Sequence, residues 1–247
     1  MEHLAVGLLI VLIDLPYDII GVKFLYWTWH DTDPNIADRH YWVPWNSYYC
    51  HLTFGFSFSL IFHKTRSLID KRPGLSKWEV GSFKSEIISV IATSLFVMPM
   101  GCLLFLPIYH PLHDFFGIST EVTVFTAVSI SLVLIWKFDR KSNRYTTPEK
   151  LDFLSKLLLV HLFLHFLTFL MTVIFLNPED VSVTGLHEPI GDCKESVAVQ
   201  TILKTLTKKK YLCATDYDEA YFDFHCLPNQ KPPKEAIWYK ICGTPFE

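Results

Sequence analysis

The chain has 247 residues, half of them hydrophobic, 15% aromatic and 19% charged, with a formal net charge of −3. A net negative chain gives nucleic-acid binding no electrostatic support. Its apolar residues are bunched into long runs rather than repeated at a helical or strand period, which points to membrane spans in place of a soluble core.

A bilayer core roughly 30 Å thick needs about 20 mostly apolar residues per crossing. Five segments qualify, at about 4–29, 43–62, 87–109, 118–136 and 153–176. The expected fold class is therefore an all-α membrane protein. Residues 1–176 form a transmembrane helical domain of about five spans, and residues 177–247 a small cysteine-containing extracytosolic tail. No cleavable signal peptide is evident, because the stretch after Met1 lacks a basic region and a small-residue cleavage site. The first span starts almost at Met1 and the chain stops at "CGTPFE". That is expected of a fragment or short isoform, and equally of a complete protein with short ends.

The first span, "VLIDLPYDIIGVKFLYWTW", carries Asp14 and Asp18 four residues apart, so they share a helix face. An ionised carboxylate near mid-bilayer costs roughly 3 kcal/mol on insertion scales. Pro16 lies between them and frees the carbonyl of Leu12, which predicts a kinked, polar face in need of a partner. Lys23 follows Asp18 by five residues and can pair with it only imperfectly. Tyr26, Trp27 and Trp29 close the span, and Tyr41, Trp42, Trp45 and Tyr48 open the second, as aromatic belts at headgroup level do. Between them "HDTDPN" places His30, Asp31 and Asp33 in one turn.

The second span, "VPWNSYYCHLTFGFSFSLIF", is followed by a loop rich in Lys and Arg from Lys64 to Lys84. The third ends in "HPLHD", with His110 and His113, and the loop after it has neither Lys nor Arg. A second basic loop, Lys137 to Lys150, joins the fourth span to the fifth. Short basic loops stay cytosolic. This places the N-terminus in the cytosol and the tail in a lumen or outside the cell, in the endoplasmic reticulum or plasma membrane.

The tail holds Cys193, Cys213, Cys226 and Cys242 of the chain's six cysteines. An even set in an oxidising compartment predicts two disulfides, with three pairings open. The fifth span offers His161 and His165, four apart, as the best candidate partner for Asp14 and Asp18. Carboxylates facing imidazoles across helices build metal or proton-relay sites. They equally make hydrogen-bonded contacts that lock two spans together. Two histidines on one helix turn cannot flank a single haem.

Seven of the eleven histidines fall on the predicted outer face. His30, Asp31, Asp33, His110 and His113 there, and His161 and His165 in the fifth span, form a His/carboxylate set suited to zinc or non-haem iron. Loops also carry Asp, Asn and Pro for turn geometry alone, and Asp33-Pro34-Asn35 is a natural turn. No nucleophile elbow, phosphate-binding glycine loop, dinucleotide fingerprint or H-E-x-x-H occurs.

The stretch "VLIDLPYDIIGVKFLYWTWHDTDPNIADRHYWVPWNSYY" and the tail text "KKKYLCATDYDEAYFDFHCLPNQ" and "WYKICGTPFE" resemble a family of uncharacterised animal multi-pass membrane proteins. This resemblance implies a membrane location and carries no function over to this chain. Residues 14–46 alone, with an acidic residue in a span and then "WVPWN", look like carotenoid-biosynthesis membrane proteins of the hydratase type, although the surrounding residues depart from that pattern. Such a likeness implies protonation or hydration of an isoprenoid double bond, with Asp14 and Asp18 as the acids. The readings from different classes are a lipid- or isoprenoid-modifying enzyme, a proton- or cation-coupled transporter component, and a non-catalytic adaptor whose tail binds a partner.

Overall fold

Five long helices follow the five apolar runs in the computed structural model, which describes residues 1–29, 34–36, 38–71, 80–139, 151–186, 189–192, 194–213, 224–230, 233 and 236–246. They are α1 (Glu2–Lys23), α2 (Trp45–Ile69), α3 (Phe83–His110), α4 (Thr120–Asp139) and α5 (Phe153–Phe175). Among the described residues four helical stretches are long and apolar enough to cross a membrane: Glu2–Lys23, Phe83–Phe115, Thr120–Phe138 and Phe153–Phe175. That is four where the sequence predicts five. The second run does fold as a helix, but Asn46, Thr53, Ser57 and Ser59 dilute its apolar density, and all four are buried. The Thr53 and Ser57 hydroxyls are satisfied within the helix, as where Ser57 Oγ donates to the Thr53 carbonyl at 2.7 Å.

The expectation of an all-helical chain is also corrected. Eight short strands occur among the described residues: β1 (Arg39–His40), β2 (Val43–Pro44), β3 (Ser182–Leu186), β4 (Ile190–Gly191), β5 (Ser196–Gln200), β6 (Thr205–Lys209), β7 (Leu212–Cys213) and β8 (Trp238–Cys242). The chain divides into two compact units, Met1–Asp14 with Asn46–Arg144, and Leu15–Trp45 with Tyr145–Glu247.

In the first unit the start of α1 packs antiparallel on α2 through two glycines. A Cβ added at Gly55 would sit 3.0 Å from the Gly7 Cα, and one at Gly7 would sit 2.6 Å from the Leu52 carbonyl oxygen. Small residues let backbones approach this closely. Further down the seam His3 Nδ1 lies 2.9 Å from the Ser59 hydroxyl, and Glu2 lies 3.4 Å from His63. On its other side α2 meets α3 through Tyr49 and Phe105, ring centroids 5.0 Å apart, and through Arg66 on Glu86 at 2.9 Å. Ser82 caps α3 by accepting from the Ser85 amide. Ser85, Ser89 and Thr93 then line its buried face.

In the second unit α1 ends at Lys23 rather than near Trp29, for a definite backbone reason. Leu25 takes φ of 59°, its amide donates to Val22, and the Tyr26 amide donates to Gly21 at 2.7 Å. This is a Schellman cap with leucine in the left-handed position. Beyond it, β1 and β2 pair antiparallel with Arg39 opposite Pro44 and His40 opposite Val43. The two residues between them, Tyr41 and Trp42, both have positive φ, 47° and 71°. A two-residue turn of that kind normally selects Asn-Gly.

The tail is strand-rich. β3 pairs antiparallel with β8 from Ser182 opposite Cys242 to Leu186 opposite Trp238, β4 pairs parallel with β7, and β5 with β6 antiparallel. Among the described residues its buried apolar side chains include Ile190, Leu212, Phe224, Tyr239, Ile241 and Cys242. Cys226 and Cys242 form a disulfide with Cα atoms 5.9 Å apart. Cys193 and the Cys213 side chain lie outside the described residues.

Candidate functional site

Asp14 meets a histidine on α2. Its Oδ2 lies 3.1 Å from His51 Nδ1, with 17% of the Asp14 side chain and 36% of the His51 side chain exposed. The same Nδ1 lies 2.8 Å from the Ser47 carbonyl oxygen one turn back. Both neighbours are acceptors, so Nδ1 carries the proton. Nε2 is then the nitrogen left to exchange a proton or ligate a metal. His51 sits six residues into α2, about 9 Å along its axis, and not in a surface loop.

The arrangement has the logic of a carboxylate–imidazole pair. The Ser47 carbonyl fixes the tautomer, and the Asp14 carboxylate lies against the same edge of the ring. A zinc or iron ion bound at Nε2 would have Asp14 behind the ring at Nδ1, where it would orient the imidazole and not ligate. Asp18 follows one turn further along α1 and is buried.

His161 and His165, the expected partners, are placed differently. His161 is exposed on α5 and His165 is half-buried. The His165 ring packs edge-on against Phe166 and Phe169, with centroids at 5.2 and 4.7 Å. α1 and α5 do touch in the second unit, through Tyr17 and Phe169 at 6.0 Å. Between them Leu15, Pro16, Ile19, Ile20, Phe166 and Phe169 line most of an apolar groove of about 380 Å³.

His110 and His113 share one carboxylate. Asp114, whose side chain is fully buried, accepts from His110 Nδ1 at 2.9 Å and from His113 Nδ1 at 2.8 Å. The expected loop there is a π-helical turn, Pro111–Phe115, continuing α3. It brings the pair onto the buried Tyr109, on which His113 stacks at 5.0 Å. His30, Asp31 and Asp33 lie outside the described residues.

Lys23, expected beside Asp18, is almost wholly buried. Its Nζ donates to the Pro245 carbonyl at 2.7 Å and the Thr244 hydroxyl at 3.3 Å, and lies 5.1 Å from the Trp42 ring centre. Residues that the sequence did not pair with Asp14, Asp18 or Lys23 thus organise the polar structure: His51 as a partner, the Glu2–His63 and His3–Ser59 rungs, and Thr244 with Pro245. The Gly7 and Gly55 pair was the available signal that α1 and α2 adjoin.

A family described as "domain of unknown function (DUF7802)" matches residues 1–247. No curated protein and no solved structure matches the chain.

Proposed function

We propose, for a chain that belongs along its whole length to the family DUF7802, a domain of unknown function, a role read from its site alone. It is a multi-pass integral membrane protein whose Asp14–His51 pair exchanges a proton with a lipid dissolved in the bilayer. The observation that carries this reading is the pair itself, 3.1 Å apart, with Asp14 on a helix long and apolar enough to cross a membrane. An ionisable pair in such a setting is costly and functional by default.

An unsaturated lipid, an isoprenoid above all, is the substrate class. His51 delivers a proton to one alkene carbon. Water attacks the resulting cation and releases a proton that restores the imidazolium, so that one water is added across the double bond. Asp14 positions His51, with Asp18 as a second carboxylate on α1. The cytosolic N-terminus and lumenal or extracellular tail follow from the basic loops. The disulfide between Cys226 and Cys242 is compatible with that side.

Purified protein in liposomes of extracted lipid, incubated in heavy water, tests this. Wild type should place deuterium and one added water on a lipid, and Asp14→Asn should not. Unchanged lipid with wild type contradicts the reading.

A second reading, a proton- or cation-coupled transporter component, is favoured by the seam that continues from the pair. Glu2–His63 and His3–Ser59 set further polar groups along the same α1–α2 contact. It predicts dissipation of a pH gradient across the same liposomes, lost in Asp14→Asn, with no change in the lipids.

A further inference from the structure

The basic end of α2 carries a groove that the Asp14–His51 pair does not use. Leu60 and Ile61 of α2 face Phe96, Pro99, Met100 and Leu103 of α3 across about 480 Å³, and Lys64 and Thr65 complete the lining. The α3 wall is open, with Phe96 57% and Leu103 67% exposed. At bilayer depth such a wall meets acyl chains.

Charge says which lipid. Two carboxylates at this end are already engaged. Glu86 accepts from Arg66 at 2.9 Å and from the Gly81 amide at 2.7 Å. Asp70 accepts from the Ser82 amide at 2.7 Å and the Ser85 hydroxyl at 3.4 Å. Lys64 is exposed, and its ammonium makes no ion pair or hydrogen bond among the described residues. It lies five residues before the end of α2, about 7.5 Å along the axis. Its apolar stem lines the groove, and a lysine at this depth extends its ammonium toward the headgroup level.

We propose that this groove binds an anionic phospholipid of the cytosolic leaflet, one acyl chain lying between α2 and α3 and the phosphate held by Lys64 and Thr65. The proposal rests on the membrane reading and on the orientation given by the basic loop, and is independent of the Asp14–His51 chemistry.

The full chain, reconstituted in nanodiscs of equimolar phosphatidylserine and phosphatidylcholine and released into detergent, provides the test by native mass spectrometry of retained lipid. Wild type should retain phosphatidylserine over phosphatidylcholine by about fivefold, the preference one basic residue near a membrane surface supplies. Lys64→Gln should abolish the preference. Met100→Trp, which fills the groove and keeps Lys64, should lose the retained lipid. Lys84→Gln, at the same end but outside the lining, should change nothing. No preference in wild type overturns the proposal. So does an equal loss in Lys84→Gln, which would mean diffuse surface charge, or full retention in Met100→Trp. Carbonate washing of the membranes separates the two levels. Release of the chain contradicts the membrane reading, whereas a retained chain without lipid preference contradicts the groove alone.

Discussion

Lys23 Nζ lies 2.7 Å from the carbonyl oxygen of Pro245, 222 residues further along the chain. The end of the first helix is thereby tied to the segment after β8, which the Cys226–Cys242 disulfide holds from the other side. Gly243 makes the approach possible, since a Cβ there would collide with the Pro178 carbonyl. Hydrogen bonds to a charged group contribute about 1.5–3 kcal/mol, and a buried cation stripped of them loses at least that. Removal of residues 243–247 should therefore lower the melting temperature measurably in detergent. Lys23→Met with the tail intact should cost less, because it removes the charge along with its demand. Equal melting of the truncated and intact chains would show that the contact contributes nothing.

The Gly7–Gly55 crossing gives a second test. Alanine in a helix gains about 0.5–1 kcal/mol over glycine in backbone entropy. At Gly7 the new methyl would meet the Leu52 carbonyl oxygen at 2.6 Å, and overpacking of this kind costs about 1–3 kcal/mol. The clash is the larger effect, so Gly7→Ala should melt lower than wild type. A higher melting point would mean that α1 and α2 are not in this contact.

Tyr41 and Trp42 hold left-handed backbone in a two-residue turn, which costs a non-glycine residue roughly 1–2 kcal/mol. Tyr41 is 51% exposed, so little packing offsets the strain. Tyr41→Asn should raise the melting temperature. Tyr41 also lines the apolar groove between α1 and α5, and a fall would show that this contact outweighs its backbone strain.

Asp152 caps α5 by accepting from the Ser155 amide at 2.7 Å. The Ser155 hydroxyl and amide together hold its carboxyl below its usual value. A carboxyl depressed in the folded state adds stability that is present above its unfolded value, about 3.9, and lost as pH falls through the folded value. Acid titration of melting should show that loss below about pH 4. Asp152→Asn, which still caps but does not titrate, should be flatter in that range, and an identical acid profile would remove Asp152 from the account.

Much of the helical layout was readable because lipid-length apolar runs leave a strong local signal. The exceptions have local causes as well. The first helix stops at Lys23 because of the Leu25 cap, and leucine is not a residue that announces a left-handed position. The second helix turns Thr53, Ser57 and Ser59 inward, so hydropathy understates its place in the bundle. The β3–β8 ladder joins segments more than fifty residues apart, and no local alternation reveals such a pairing. At the site, the four-residue spacing of Asp14 and Asp18 was legible, but the choice of partner was not. His51, His161 and His165 are equally good imidazoles, and only helix adjacency, marked by Gly7 and Gly55, decides among them.

The most direct measurement is the rate of deuterium transfer to lipid by Asp14→Asn, His51→Gln and the double variant in the same liposomes. Loss of a positioned acid–base group costs about a hundredfold or more. If Asp14 and His51 act as one unit, each single variant should lose about that much and the double variant no more than the worse single one. Single variants at the wild-type rate, or losses that multiply in the double variant, would contradict the account.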